Sequence, residues 1–167
     1  MKFCLDSLII PPEKSVEIKN AVANLGTAMT ERQLDLIWRF FKNPIICLDG
    51  DESGRKAALR AAERLFPIMK LDSNIYFLTL PENLDPDSYI NEKGKESFLK
   101  LKEKKMEIKD FIWNSYYEEV DKNDPQSLAL FEKKTKSLCN EINDKTLAKY
   151  YLESFTQKIS ELTPNLN

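Results

Sequence analysis

Ile45-Ile46-Cys47-Leu48-Asp49-Gly50-Asp51-Glu52-Ser53-Gly54-Arg55 is the stretch that decides the fold. Its first four residues form a continuous apolar run, the pattern of a strand covered on both faces, and the run stops abruptly at an acid. Alternation along an extended backbone points Asp49 and Asp51 the same way, roughly 6.5–7 Å apart at Cα. Gly50 between them lets the backbone bend so that both converge on one cation. Two carboxylates at that spacing suit Mg²⁺, a hard ion that takes oxygen ligands and keeps several waters. The same residues admit a plainer reading, in which Asp51 or Ser53 N-caps the next helix and Asp49 is a turn residue.

Downstream, Ser53 to Leu65 is alanine-rich and helical, with Ala58, Ala61, Ala62 and Leu65 small enough to let the helix lie close against a sheet. Its polar face carries Arg55, Lys56, Arg60 and Arg64. Arg55 falls in the first turn beside the acids, placed either to meet a phosphate or simply on a solvated face. Residues 75 to 80, Ile-Tyr-Phe-Leu-Thr-Leu, read as another strand. Upstream, the segment from Ile18 reads as a short strand ending at Gly26-Thr27. Thr30 with Gln33 forms a capping box, and Leu34, Ile37, Trp38 and Phe41 make one apolar helical face, with Trp38 in the core. Asn43-Pro44 stops that helix. Strand, helix, strand, helix, strand predicts right-handed βαβ units and a parallel sheet.

Parallel strands end at one edge, so Gly26-Thr27, Asp49-Gly50-Asp51 and the segment after Leu80 are expected to face one crevice. That last segment contains Asp85-Pro86-Asp87-Ser88, which brings the carboxylates there to four. A divalent metal would relieve their mutual repulsion. Asp85 also reads as an N-cap, with Pro86 at the first helical position and Asp87 in the positive first turn, and both readings can hold at once.

Beyond Ile90 the chain reads as helices: a break at Gly94-Lys95-Glu96, then one helix marked by Ile108, Ile112 and Tyr116. Another starts at Asp124-Pro125 and carries Leu128, Phe131, Thr135, Leu138 and Ile142. The last runs from about Asp144, with Ala148, Leu152, Phe155, Ile159 and Leu162 on one face, so the end of the chain is a helical bundle. The expected organisation is an irregular N-terminal segment over residues 1–17, an α/β domain over 18–104 and a helical subdomain over 105–167. The Lys102-Glu103-Lys104-Lys105 run reads as a solvated linker.

Composition excludes several classes. There is no histidine among the 167 residues, which removes Ser-His and Cys-His catalysis and His-ligated metals. Cys4, Cys47 and Cys139 are scattered singly, so no zinc site and no disulfide framework is expected. A formal net charge of -2 is not that of an autonomous nucleic-acid binder. No apolar run reaches the ~20 residues that span a bilayer, and an acid at Asp6 interrupts any signal-peptide core, so a cytoplasmic protein with no membrane association is expected.

Leu25-Gly26-Thr27-Ala28 with Thr30-Glu31, Asp49-Gly50-Asp51 continuing through Gly54-Arg55-Lys56-Ala57-Ala58, Leu80-Pro81, Asp85-Pro86-Asp87-Ser88 and Gly94-Lys95-Glu96 together resemble one family. It is the TOPRIM portion and following helical subdomain of bacterial DNA primase, over about residues 18 to 162. The resemblance implies that Asp49, Asp51, Asp85 and Asp87 hold Mg²⁺ or Mn²⁺, which in turn holds a nucleoside triphosphate, with Asp49 and Asp51 catalytic. It implies that Gly26, Thr27 and Arg55 line the nucleotide and phosphate site. It also implies RNA primer synthesis for DNA replication, a single-stranded DNA template held only with domains not seen here, and a replicative helicase bound through a region also not seen here. One departure stands out. The family has a Glu-Gly pair about twenty residues before Leu-Gly-Thr, and here that register carries Leu5 and Asp6. A truncated primase, inactive alone, is therefore expected. The alternatives are a non-catalytic remnant or metal- or nucleotide-binding interaction module, and a small TOPRIM nuclease.

Overall fold

The computed structural model of the chain describes residues 2–4, 22–23, 30–81 and 84–162. Five strands form one sheet: β1 (Lys2–Cys4), β2 (Val22–Ala23), β3 (Ile45–Leu48), β4 (Tyr76–Thr79) and β5 (Met106–Glu107), in the order β2-β1-β3-β4-β5. Six helices accompany them: α1 (Glu31–Trp38), α2 (Glu52–Leu65), α3 (Pro86–Lys102), α4 (Ile108–Tyr117), α5 (Pro125–Asn140) and α6 (Lys145–Leu162). The α/β core followed by a helical bundle is the expected architecture.

The sheet, however, is mixed. Only β3 and β4 pair in parallel, with Ile45 opposite Tyr76 and Leu48 opposite Thr79. The β1–β2, β1–β3 and β4–β5 pairs are antiparallel. Two reversals restore direction, so β2 runs the same way as β3 and β4, while Gly26-Thr27, expected to follow that first strand, lies outside the described residues. Two strands were not foreseen. Lys2–Cys4, placed in an irregular segment by its lack of period, lies between β2 and β3, and Met106–Glu107 closes the other side. Strands of two or three residues carry too little alternation to declare themselves; their neighbours' open backbone groups define them.

Both faces of β3 and β4 are covered, as the apolar run required. On one face Ile46 and Phe77 join the core built from α1, α2, α4 and the bundle. On the other Ile45, Cys47, Leu78 and Leu80 pack against Tyr89, Ile90 and Phe98 of α3. The alanine face of α2 is buried at Ala58, Ala61, Ala62 and Leu65, and Trp38 is core at 5% exposure.

Local signals hold where residues were singled out. Gln33 N donates to Thr30 Oγ1 at 3.3 Å and Thr30 N to Gln33 Oε1 at 2.8 Å, completing the capping box. Asp124 caps α5 through Gln126 N and Ser127 N. Gly94 sits inside α3 at φ 80°, ψ 162°, so the helix breaks where Gly-Lys-Glu said it would; a side chain there would be strained in that left-handed region. The larger core cluster crosses residue 104 without a gap: Phe66, at the end of α2, lies 4.9 Å from the Tyr151 ring and 6.3 Å from that of Phe155. Among the described residues, no helix is long and apolar enough to cross a membrane.

Candidate metal and nucleotide site

The parallel pairing of β3 and β4 ends both strands at one edge, and the loops that follow are locked together by a glycine. Gly50 N donates to Leu84 O at 3.1 Å. A Cβ on Gly50 would stand 2.1 Å from Pro81 O and 2.5 Å from Leu80 O, so only glycine lets the Asp49–Asp51 turn lie against the chain leading to Asp85. Gly54 does the same for the helix. Its added Cβ would meet Asp49 O at 2.4 Å, which seats the first turn of α2 directly over the acidic turn.

Asp51 and Asp85 both act as helix caps. Gly54 N donates to Asp51 Oδ1 at 2.5 Å, which engages one oxygen of this exposed carboxylate. Asp87 N and Ser88 N donate to Asp85 Oδ1 at 2.8 and 2.9 Å, and Ser88 Oγ to Asp85 Oδ2 at 3.1 Å. Asp49 is half-buried in the turn, and Asp87 is half-buried in the first turn of α3. Two helix N-termini therefore meet at this edge, each with an acid at its cap. The partial positive charge of those termini offsets part of the carboxylates' repulsion before any cation arrives. Gly26 and Thr27 lie outside the described residues.

Among the described residues, no three Asp, Glu, Cys or His side chains stand together closely enough to enclose an ion. The four acids share an edge through the two locked loops but do not form a ready-made cage. The donor set is all oxygen, and it fits an ion of the Mg²⁺ type, which is held by one or two carboxylates with water and phosphate oxygens completing its shell.

Arg55 is exposed in the first turn of α2. Lys56 beside it is tied to Glu52 at 2.6 Å, and that hydrogen bond holds the Glu52 carboxyl below its ordinary range. Among the described residues Arg55 makes no ion pair, and it follows the acidic turn by four residues in the chain. Sequence reasoning missed what lies on its far side: a cleft of about 470 Å³ between α2 and α4, bordered by Arg55, Thr79, Asn114 and Ser115. Of its lining, sequence reasoning had singled out Arg55 alone; the rest depends on α4 packing on α2.

A Toprim-like family model matches residues 9–90. The chain is 36% identical over 139 residues to the DNA primase of Rickettsia felis, covering 83% of this chain and 23% of that protein. Against the DNA primase of Escherichia coli K12 it is 34% identical over 145 residues, covering 87% and 25%. The chain is homologous to the TOPRIM-containing part of DNA primase. Solved primase structures agree: the DnaG primase catalytic domain bound to ssDNA superposes with a TM-score of 0.77 at 33% identity, over 90% of this chain and 46% of that one. A DNA primase domain from Pseudomonas aeruginosa gives 0.76 at 30% identity, over 89% and 45%. The chain thus spans about a quarter of the curated primases it matches and under half of these solved primase domains.

Proposed function

We infer that this chain is the metal- and nucleotide-holding part of a primase-type RNA polymerase, the part that presents a nucleoside triphosphate for primer synthesis. The observation that carries this reading is the glycine-locked junction of the β3 and β4 ends, which sets Asp49-Gly50-Asp51 beside Asp85-Pro86-Asp87 under two helix N-termini. Asp49, Asp51, Asp85 and Asp87 supply carboxylate oxygens to Mg²⁺ or Mn²⁺. Arg55 takes a phosphate oxygen, and Gly26 and Thr27 complete the wall of the crevice. A divalent cation here would neutralise phosphate charge and favour attack of a 3′-hydroxyl on the α-phosphate, in which the new P–O bond forms as the α–β anhydride bond breaks, pyrophosphate leaves and the hydroxyl proton passes to water. The protein's own share is to bind and orient, because proximity and alignment supply much of the rate in such a transfer. Template and helicase binding belong, on this reading, to the whole primase.

A second reading, a nucleotide-binding module that does not itself catalyse, is favoured by one sequence observation: Leu5 and Asp6 stand at the register where the family resemblance expects Glu-Gly. Both readings require metal-dependent nucleotide binding. Calorimetry with ATP is expected to give an affinity at least about tenfold higher, or about 1.4 kcal/mol, in Mg²⁺ than in chelator. Asp49→Asn is expected to abolish that difference while leaving the fold intact. Equal affinity with and without Mg²⁺ would contradict both readings.

A further inference from the structure

Helix α1 buries Leu34 and Trp38, while its opposite side carries Arg32, Leu36, Arg39 and Phe40, all exposed and spaced to fall on one stripe. Phe40 stays in register with the helix because Phe40 N and Phe41 N both donate to Ile37 O, at 3.0 and 2.9 Å. Leu36 is 54% exposed and Phe40 74%. A third apolar side chain, Leu71 at 69%, is fixed beside the same helix. Lys70 Nζ donates to Asp35 Oδ1 at 2.7 Å, Lys42 pairs with Asp72, and Asn74 N donates to Lys42 O at 3.0 Å. Single exposed leucines need no explanation, but three of the six large apolar side chains exposed among the described residues gather here. The two clamps also engage Asp35 and Asp72 on lysines. Arg32 and Arg39 pair with no carboxylate among the described residues, and Glu31 is the one other acid of α1.

We propose that this side of α1, with Leu71, docks an acidic amphipathic segment of a partner protein. Apolar side chains on one face of that segment meet Leu36, Phe40 and Leu71, and Asp or Glu at its margin meets Arg32 and Arg39. Apolar anchors beside unpaired arginines are what a helical peptide with acidic flanks complements. Two of the three apolar residues are leucines, which offer no ring on which a base can stack, so a peptide fits this surface better than a single-stranded nucleic acid does. The place in the fold is also distinct from the candidate metal site. Phe40 and Leu71 precede β3 and β4, which run parallel, so the surface lies toward the edge where those strands begin, and the acids stand where they finish. A partner bound here leaves the acidic edge open.

The probe is a fluorescent helical peptide of about 14 residues, or four turns, with leucine and phenylalanine at three- and four-residue spacing and glutamate and alanine elsewhere. Its control carries lysine in place of every glutamate. In fluorescence anisotropy with the full chain, the glutamate peptide is expected to bind at least about tenfold more tightly than the lysine peptide. Phe40→Ser, at an exposed position, should weaken the glutamate peptide at least about tenfold, whereas Leu130→Ser, at an exposed leucine of α5, should leave it unchanged. Arg32→Glu combined with Arg39→Glu should reverse the preference toward the lysine peptide, a gain that unfolding cannot produce. No binding of the glutamate peptide, equal binding of the two peptides, or equal losses in Phe40→Ser and Leu130→Ser would overturn the proposal. So would a thymidine oligonucleotide bound through Phe40 in place of the peptide, which would make the surface one for single-stranded nucleic acid. A dimer in sedimentation that Phe40→Ser dissolves would assign the surface to a second copy of the chain and overturn it equally.

Discussion

Gly50→Ala is expected to destabilise the chain by about 3 kcal/mol, the upper end of what overpacking a fitted site costs, and to abolish metal-dependent nucleotide binding. The methyl group would be forced to within 2.1 Å of Pro81 O and 2.5 Å of Leu80 O, both backbone atoms that cannot rotate away. Relief requires parting the β3 and β4 ends, which breaks the Gly50 N to Leu84 O bond and separates Asp49 and Asp51 from Asp85 and Asp87. Urea denaturation measures the first effect and calorimetry the second. A loss below about 1 kcal/mol with nucleotide binding intact would mean that the loops are not interlocked as described.

Phe66→Ala is expected to cost about 4 kcal/mol, as for other fully buried aromatics truncated in a core, and to leave unfolding a single transition. Phe66 is fully buried, and its ring meets Tyr151 and Phe155 of α6. One residue on, Pro67 O accepts from Asn143 N at 2.9 Å, at the turn between α5 and α6. This 3-10 turn at Phe66–Ile68 thus clamps the sheet-bearing half to the helical half. Fluorescence and circular dichroism melts should coincide. A variant in which the bundle melts first while the sheet half keeps its midpoint would make the boundary near residue 104 an energetic one.

The sequence displayed those parts of the fold whose cause is local. The apolar run Ile45–Leu48 needs two covered faces wherever it lies; Thr30-Gln33, Asp124-Pro125 and Gly94 act within one helical turn. The Asp-Gly-Asp and Asp-Pro-Asp segments could be placed at strand ends for the same reason. Their double role could not be ranked. Whether Asp51 and Asp85 cap helices depends on helix starts, which the sequence suggested, while whether the four acids enclose an ion depends on the distance between two loops, which it did not contain. The strands β1 and β5 were illegible because a strand of two or three residues exists only by pairing. The α2/α4 cleft was illegible for a related reason: Arg55 and Ser115 are brought to one rim by helix packing, and no local pattern links them.

The most direct test of the account is anomalous diffraction from crystals of the full chain grown with Mn²⁺ and ATP. It predicts a peak coordinated by Asp49 or Asp51 at the end of β3, facing Asp85 and Asp87, with the triphosphate on the same ion. A peak at Glu118 and Glu119 instead, or a bound triphosphate with no ion at the β3 edge, would contradict it.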